Sequence, residues 1–169
     1  MEYWDMVIRI GLIIVLSAAI GLDRELRHKP AGIKTHILVG LGSTIFMLVS
    51  LYIYHEYGGE AKTVDPGRIA AQVVTGIGFL GAGTIMQSKG SVTGLTTAAS
   101  LWAVAGIGLA VGAGMYALSV TLAAAIIVVF LVTNTFFGIV GHRIEEIEMK
   151  KKDLESRIRE LKKKKPPKE

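Results

Sequence analysis

The chain has 169 residues, of which 51% are hydrophobic, and its mean hydropathy of +0.48 indicates a protein that crosses a membrane several times. It contains no cysteine, which excludes disulfides and thiolate metal sites. The net charge of +5 comes from short basic blocks between apolar stretches, so we interpret it as a topology signal and predict no nucleic-acid partner.

Five segments are long and apolar enough to cross a bilayer, which takes about 20 residues with a range of roughly 17–25. In chain order they are approximately residues 6–22, 33–54, 69–86, 95–112 and 115–137. The opening residues carry no basic region, so the first segment is not interpreted as a cleaved signal peptide. The sequence therefore predicts an all-α integral membrane protein, a compact bundle of about five transmembrane helices.

Lysine and arginine are distributed unequally between the loops. Sixteen lie after the first segment, after the third and in the tail, whereas the loop before the third segment has only Lys62 and Arg68. Cytoplasmic loops carry the excess of basic residues. We therefore predict the N-terminus outside, the C-terminus in the cytoplasm, and a multi-pass location in the plasma or inner membrane.

The tail differs in composition from the rest of the chain. Residues 139–169 are predicted to form a basic amphipathic cytoplasmic helix with acid-before-base pairs at i, i+4, separate from a transmembrane domain at 1–138. We interpret this helix as a solvated element that enforces topology. Weak self-association and adhesion to anionic lipid are the alternatives.

The third segment is crowded with glycines. Each interior glycine costs about 1 kcal/mol relative to alanine in a soluble helix, but small residues let transmembrane helices approach closely. We predict that the third helix is central, that the fourth is its partner, and that leucine at Gly78 or Gly108 abolishes assembly. The predicted packing residues are Gly76, Gly78, Gly81, Gly83, Gly108 and Gly112.

Polar residues at the start of the third helix form the first candidate site. Asp65 is placed to cap the helix, with Pro66 at its first position. Capping does not explain Arg68, because the helix dipole disfavours a cation there, nor Gln72 one turn later. Arg68 and Gln72 share a helical face and could line a polar pocket; the alternative is an ion pair between Arg68 and Asp65.

The second group of candidates lies around the first loop and the start of the fourth helix. Asp23 and Glu25 oppose the orientation signal, so they either pair with neighbouring arginines or present carboxylates to a cation or partner. Hydroxyls that open the fourth helix can cap it or bond back to its carbonyls. The complete set of functional candidates is Asp23, Arg24, Glu25, Asp65, Arg68, Gln72, Thr96 and Thr97.

Catalytic patterns are missing from the sequence, and no segment carries Asp, Glu or Lys at midplane depth. We therefore predict that the protein is not an enzyme. No cofactor is expected, although Mg²⁺ is a candidate ligand, and no metal site is assigned.

Four ordered motifs resemble one known family. They are Gly21…Arg24-Glu25, residues 31–36 (AGIKTH), residues 65–83 (DPGRIAAQVVTGIGFLGAG) and residues 94–102 (GLTTAASLW). Together they are similar to the MgtC/SapB family of inner-membrane proteins, over about residues 5–135. The resemblance implies a compact five-helix membrane domain linked to growth in scarce magnesium, survival in phagocytes and membrane energetics. It also favours the segment 65–72 and the Arg24-Glu25 pair as functional residues.

The resemblance and the residues together predict a non-enzymatic regulator that binds a membrane-protein partner, or itself, through helix–helix contacts within the lipid bilayer. Several relatives carry a soluble domain after the last span, and in this sequence a short basic helix stands there instead. The alternative is a divalent-cation transport component. The feature that separates the two is whether Gln72 and Thr75 face a wet cavity or a neighbouring helix.

Overall fold

The computed structural model describes residues 3–58, 64–88 and 90–164, apart from the side chains of 139–142, 145–146, 148 and 153–164. Lys62, Lys89 and most side chains of the tail, which entered the topology prediction, lie outside the described residues. In chain order the described elements are α1 (Tyr3–Leu26), α2 (Ile33–Tyr57), α3 (Gly67–Ala82), β1 (Met86–Ser88), β2 (Ser91–Thr93), α4 (Leu95–Gly112) and α5 (Tyr116–Lys164).

The prediction of an all-α membrane protein is confirmed. Within the described residues, four helical stretches are long and apolar enough to span a bilayer, namely α1, α2, α4 and Tyr116–Gly138 of α5. The third segment is shorter than predicted, because α3 has 16 residues and ends at Ala82. The inside–outside orientation stays a prediction.

A small antiparallel hairpin follows α3 where the sequence predicted the end of a helix. Its strands pair Met86 with Thr93 and Ser88 with Ser91. Gly94 closes the hairpin with φ +89°, and a Cβ there would overlap the carbonyl oxygen of Thr84. Only glycine combines this positive φ with so close a backbone approach, which is why α4 can begin directly after the hairpin.

Helix α4, and not α3, is the centre of the bundle. Nine of its 18 residues are buried, against two of 16 in α3, and it contacts α1, α2 and α3. The core beside α3 consists of Ala31, Ile77, Leu101 and Ala105. The expectation of a central third helix rested on its glycine content, which turns out to be mainly a property of its exposed face.

Two of the predicted packing glycines lie directly against α2. A Cβ at Gly108 would be 2.6 Å from the Gly40 carbonyl oxygen, and one at Gly112 would be 2.6 Å from Met47 Cβ. Gly40, which is not among the predicted packing residues, lies against side chains of α1. A Cβ at Gly40 would lie 2.9 Å from Ile13 Cγ1. These three glycines bring α1, α2 and α4 into near-backbone contact, the arrangement that small residues permit in membranes.

The glycines of α3 behave differently from the prediction. Gly81 faces Ala98 of α4 at an ordinary 3.5 Å, while Gly83 approaches only carbonyls of its own helix. Among the described residues, no atom outside the helix lies within 4 Å of a Cβ placed at Gly76 or Gly78. In the described part of the chain, Gly76, Gly78 and Gly83 therefore make no close contact with another helix.

The chain divides into two compact units, Met1–Val128 and Val129–Glu169. The helix α5 runs through the position of the division without a break. In the second unit the described structure is the helical continuation from Val129 to Lys164. The domain boundary predicted after residue 138 stays a prediction.

Candidate functional site

The loop between α1 and α2 is a tightly folded turn. Gly21 packs so closely on α2 that a Cβ would lie 2.7 Å from Ile33 Cα. His28 adopts φ +51°, and its backbone N–H donates to the Glu25 carbonyl at 3.0 Å. This turn fixes the positions of the charged residues that surround it.

Arg24, in the last turn of α1 next to this loop, joins α1 to α4. Its side chain is buried, with 4% of the residue exposed, and Nη2 donates to Thr97 Oγ1 at 3.3 Å. Thr97 is itself buried, whereas the adjacent Thr96 is exposed. The structure thus brings together two candidates from distant parts of the sequence and leaves Thr96 outside.

His36 makes the equivalent connection between α2 and α4. It is fully buried, its Nδ1 donates to the Gly32 carbonyl at 2.9 Å, and its Nε2 lies 3.0 Å from Ser100 Oγ. Ser100 Oγ in turn donates to the Thr97 carbonyl at 2.8 Å. We call Arg24, His36, Thr97 and Ser100 the buried polar cluster; it ties three helices together where burial makes an unmade hydrogen bond costly.

The two acidic candidates of this loop are engaged within the chain. Asp23 forms an ion pair with Arg27, with Oδ1 2.8 Å from Nε. Glu25 Oε2 accepts a hydrogen bond from the Ile33 backbone N–H at 3.0 Å and so caps α2, whose N-cap residue Gly32 has no side chain to do so. For Asp23 the structure shows the first of the two alternatives, an ion pair with a neighbouring arginine. Glu25 instead caps a backbone N–H, a role that neither alternative named.

Asp65 caps α3, one position earlier than expected. Its Oδ1 accepts from the Gly67 backbone N–H at 2.8 Å, and α3 begins at Gly67 with Pro66 as its N-cap residue. Ser50 of α2 donates to the Pro66 carbonyl and ties this end of α3 to α2. Arg68 and Gln72 are exposed, and in the described residues no ion pair joins Arg68 to Asp65.

An open groove of about 570 Å³ lies between α2 and α3, which we call the α2–α3 groove. Gln72 lines this groove. Thr75 is exposed outside the groove, and its hydroxyl donates a hydrogen bond to the Ala71 carbonyl of the same helix. The walls are mainly apolar and consist of Thr35, Leu38, Val39, Gly42, Ser43, Phe46, Ile69, Gln72, Val73, Gly76, Ile77 and Leu80. Gln72 therefore faces a largely apolar groove and not a polar channel.

A second groove, of about 350 Å³, lies on the other side of α3 and is called the α3–α5 groove. Its floor is α4, where Trp102 is 58% exposed and Gly106 is open, with no atom outside the helix within 4 Å of a Cβ among the described residues. The lining residues are Val74, Ile77, Trp102, Ala103, Ala105, Gly106, Ile107, Ala110, Leu118, Leu122 and Ile126.

A polar cluster that the sequence analysis missed lies at the far ends of α1 and α4. Arg9 pairs with Asp5 at 2.7 Å and donates to the Gly112 carbonyl, while the Tyr116 hydroxyl donates to Asp5 Oδ1 at 2.6 Å. The i, i+4 spacing of Asp5 and Arg9 within an apolar segment was the available signal. Arg9 thereby connects α1 to the end of α4, next to the α4–α5 turn.

The side chains that could act as metal ligands are dispersed over the described structure. Within residues 3–58, 64–88 and 90–164, no three His, Asp or Glu side chains come together as a group that could hold a metal ion. The described polar clusters join helices to one another, and two grooves are open along the bundle.

These features define a multi-pass membrane protein with a small helical core. The model of the MgtC family matches residues 10–138, and the chain belongs to that family. The family resemblance in the four motifs is thus confirmed. A comparison with solved structures finds no match.

Curated relatives share substantial identity with this membrane core. Over 117 residues the chain is 46% identical to "Putative magnesium transporter YhiD" of Escherichia coli K12, covering 69% of this chain and 54% of that protein. It is 42% identical to Protein MgtC of Salmonella typhimurium LT2 over 134 residues (79% and 53%) and 36% identical to Protein SapB of Bacillus subtilis over 156 residues (91% and 66%). The chain spans about half to two thirds of the length of these relatives.

Proposed function

We propose that this chain is a non-enzymatic membrane regulator, linked to magnesium limitation and membrane energetics, that acts by binding a partner transmembrane helix. Its family and the name of the relative YhiD support the link to magnesium. The observation that carries the regulatory role is the contrast between the internally engaged polar residues and the open α3–α5 groove.

The α3–α5 groove has the chemistry of a helix-docking surface. Its floor presents Gly106 and Ala110 one turn apart, next to the large exposed ring of Trp102. Small residues at i, i+4 let a second backbone approach closely, and an adjacent aromatic ring supplies contact area. In the described part of the chain, no other helix packs against Gly106.

We expect Gly106→Leu to lower co-purification of the partner complex by about tenfold or more, because a bulky side chain blocks backbone approach. The measurement uses tagged full-length chain expressed in its own host, extracted in mild detergent, with quantitative mass spectrometry of co-purifying membrane proteins. Gly11→Leu is the matched control, since Gly11 of α1 is equally open but lines neither groove. Equal recovery of the complex with both variants would contradict the proposal.

The transport alternative has its own test. Gln72 lines the α2–α3 groove, and Asp65 lies exposed at the start of α3, so a cation route would pass these residues. We expect no saturable magnesium flux into proteoliposomes that contain the purified chain, because the groove is mainly apolar and hard cations require oxygen ligands. Saturable flux that is lost in both Asp65→Ala and Gln72→Ala would replace the regulatory proposal with transport.

A further inference from the structure

The α2–α3 groove has the depth of a single membrane leaflet. On α2 it extends from Thr35 to Phe46, which at 1.5 Å per residue is about 17 Å. The hydrocarbon core of a bilayer is about 30 Å thick, so one leaflet contributes roughly half of that. Just beyond Phe46 the hydrogen bond from Ser50 to Pro66 ties α2 to α3. The groove therefore starts next to the α1–α2 loop and ends before the contact between Ser50 and Pro66.

The shape and lining of the groove suit a flexible apolar chain. Its volume of about 570 Å³ is in the usual range of ligand pockets, roughly 300–1,000 Å³. Gly42 and Gly76 stand on its opposite walls, and in the described chain neither has an atom outside its helix within 4 Å of a Cβ. A transmembrane helix needs a surface that continues through both leaflets, which this groove does not provide.

The α1–α2 loop places positive charge at the mouth of the groove. Ala31 of this loop, 2% exposed, packs in the core with the groove residue Ile77. Lys34 is exposed and precedes the groove residue Leu38 by one helical turn, and Lys29 is exposed two residues before Ala31. Both exposed lysines therefore lie close in the chain to the end of the groove that adjoins the α1–α2 loop.

Within the described residues, neither acidic residue of the loop forms an ion pair with these lysines. Asp23 is paired with Arg27, and Glu25 caps the backbone of Ile33. In the part of the chain that the structure describes, no ion pair engages Lys29 or Lys34. A cationic mouth above an apolar groove is complementary to an anionic headgroup with an acyl chain, and basic pockets between transmembrane helices bind such headgroups.

We propose that the α2–α3 groove binds one anionic phospholipid from the leaflet at the α1–α2 loop. Its acyl chain lies between α2 and α3, and its phosphate is held by Lys29 and Lys34. This site shares only Ile77 with the lining of the α3–α5 groove assigned to a partner helix. The test positions Gly76 and Gly106 each line one groove only, so the two proposals can fail independently.

Native mass spectrometry of the full-length chain in detergent, titrated with palmitoyl-oleoyl phosphatidylglycerol or phosphatidylcholine, tests the headgroup contact. We expect one tightly bound phosphatidylglycerol, and a loss of affinity of about 30-fold in Lys29→Gln/Lys34→Gln, roughly fivefold for each lysine. The control Lys151→Gln/Lys152→Gln removes the same charge from exposed positions of α5. Unchanged affinity in the loop variant would overturn the proposal.

The acyl contact is tested by filling the groove. We expect Gly76→Phe to weaken phosphatidylglycerol binding by about tenfold or more, because the new ring displaces buried methylenes. Gly78→Phe is the matched control, since Gly78 is equally open but lies outside the groove. If Gly76→Phe does not elute as a folded species, Gly42→Phe fills the facing wall instead.

Two further results would also overturn the lipid site. Displacement of the lipid by millimolar inorganic phosphate, with normal binding to Gly76→Phe, would indicate a site for free anions only. A lipid-free dimer of wild-type chain that Gly76→Phe converts to monomer would show that a second copy occupies the groove.

Discussion

Replacing Gly108 with leucine is expected to prevent the bundle from folding, whereas the same change at Gly106 is expected to leave the fold intact. A Cβ at Gly108 would lie 2.6 Å from the Gly40 carbonyl and 2.8 Å from Ser43 Cβ, and backbone atoms cannot move aside cheaply. Overpacking of a well-packed core costs about 1–3 kcal/mol and occasionally more, and a backbone clash belongs at the upper end. Gly106, two residues earlier, meets open space in the described structure.

The measurement is the yield and thermal stability of each variant in detergent, followed by size-exclusion chromatography with fluorescence detection. Gly108→Leu should give little monodisperse protein, and Gly106→Leu should elute as wild type does. Similar behaviour of the two variants would mean that α4 does not present its Gly108 face to α2. The pair also separates packing within the chain from partner binding, because only Gly106 lines the α3–α5 groove.

Removing Arg24 is expected to have the second large effect. Arg24→Ala deletes a buried guanidinium that donates to Thr97 and leaves the Thr97 hydroxyl buried without that donor. Hydrogen bonds that involve a charged group contribute about 1.5–3 kcal/mol, so we expect the free energy of unfolding to fall by about 2 kcal/mol. Reversible unfolding of the purified chain in mixed micelles, followed by tryptophan fluorescence, measures this loss.

Arg27→Ala is the control for this experiment. Arg27 has the same charge and lies three residues later, but its ion pair with Asp23 is partly exposed. Exposed ion pairs contribute about 0–1 kcal/mol, and the Asp23 side chain is only 12% exposed, so the free energy of unfolding should fall by at most about 1 kcal/mol. Comparable losses in the two variants would contradict a specific role for the buried polar cluster.

The bundle has a closely packed part and a more open part. The helices α1, α2 and α4 are joined by close glycine contacts and by the buried polar cluster. At the other end, the cluster of Asp5, Arg9 and Tyr116 joins α1 to the end of α4 and to α5. The helix α3 is packed on one side only and borders both grooves. A regulator that responds to lipid and binds a partner helix would use this division, because ligands of either kind would contact α3 without disturbing the core.

Several features of this protein could be predicted from its sequence. Span positions depend on apolar content summed over about 20 neighbouring residues, which is a local property, and α1, α2 and α4 contain their predicted segments. The family could also be recognised, because its motifs are continuous stretches of sequence. Asp65 as a cap of α3 followed from its place before Pro66 and Gly67.

The candidate site was only partly predictable. Arg24 and Thr97 were selected separately, but their 3.3 Å contact joins residues 73 positions apart, which no local pattern encodes. The sequence left Asp23 and Glu25 with two possible roles, because a carboxylate near several arginines and a helix start has more than one available partner. The Asp5–Arg9–Tyr116 cluster was missed because Tyr116 lies 111 residues from Asp5.

Membrane location, helix content and family were thus determined by the sequence itself, because each depends on residues that are near one another in the chain. The tertiary structure alone decided that α4 is central, that Gly108 packs while Gly106 and Gly76 stay open, and that Gln72 faces an apolar groove. A glycine or an amide looks the same in sequence wherever it faces. Its role depends on which helix lies opposite, and that is set by how all the helices pack together.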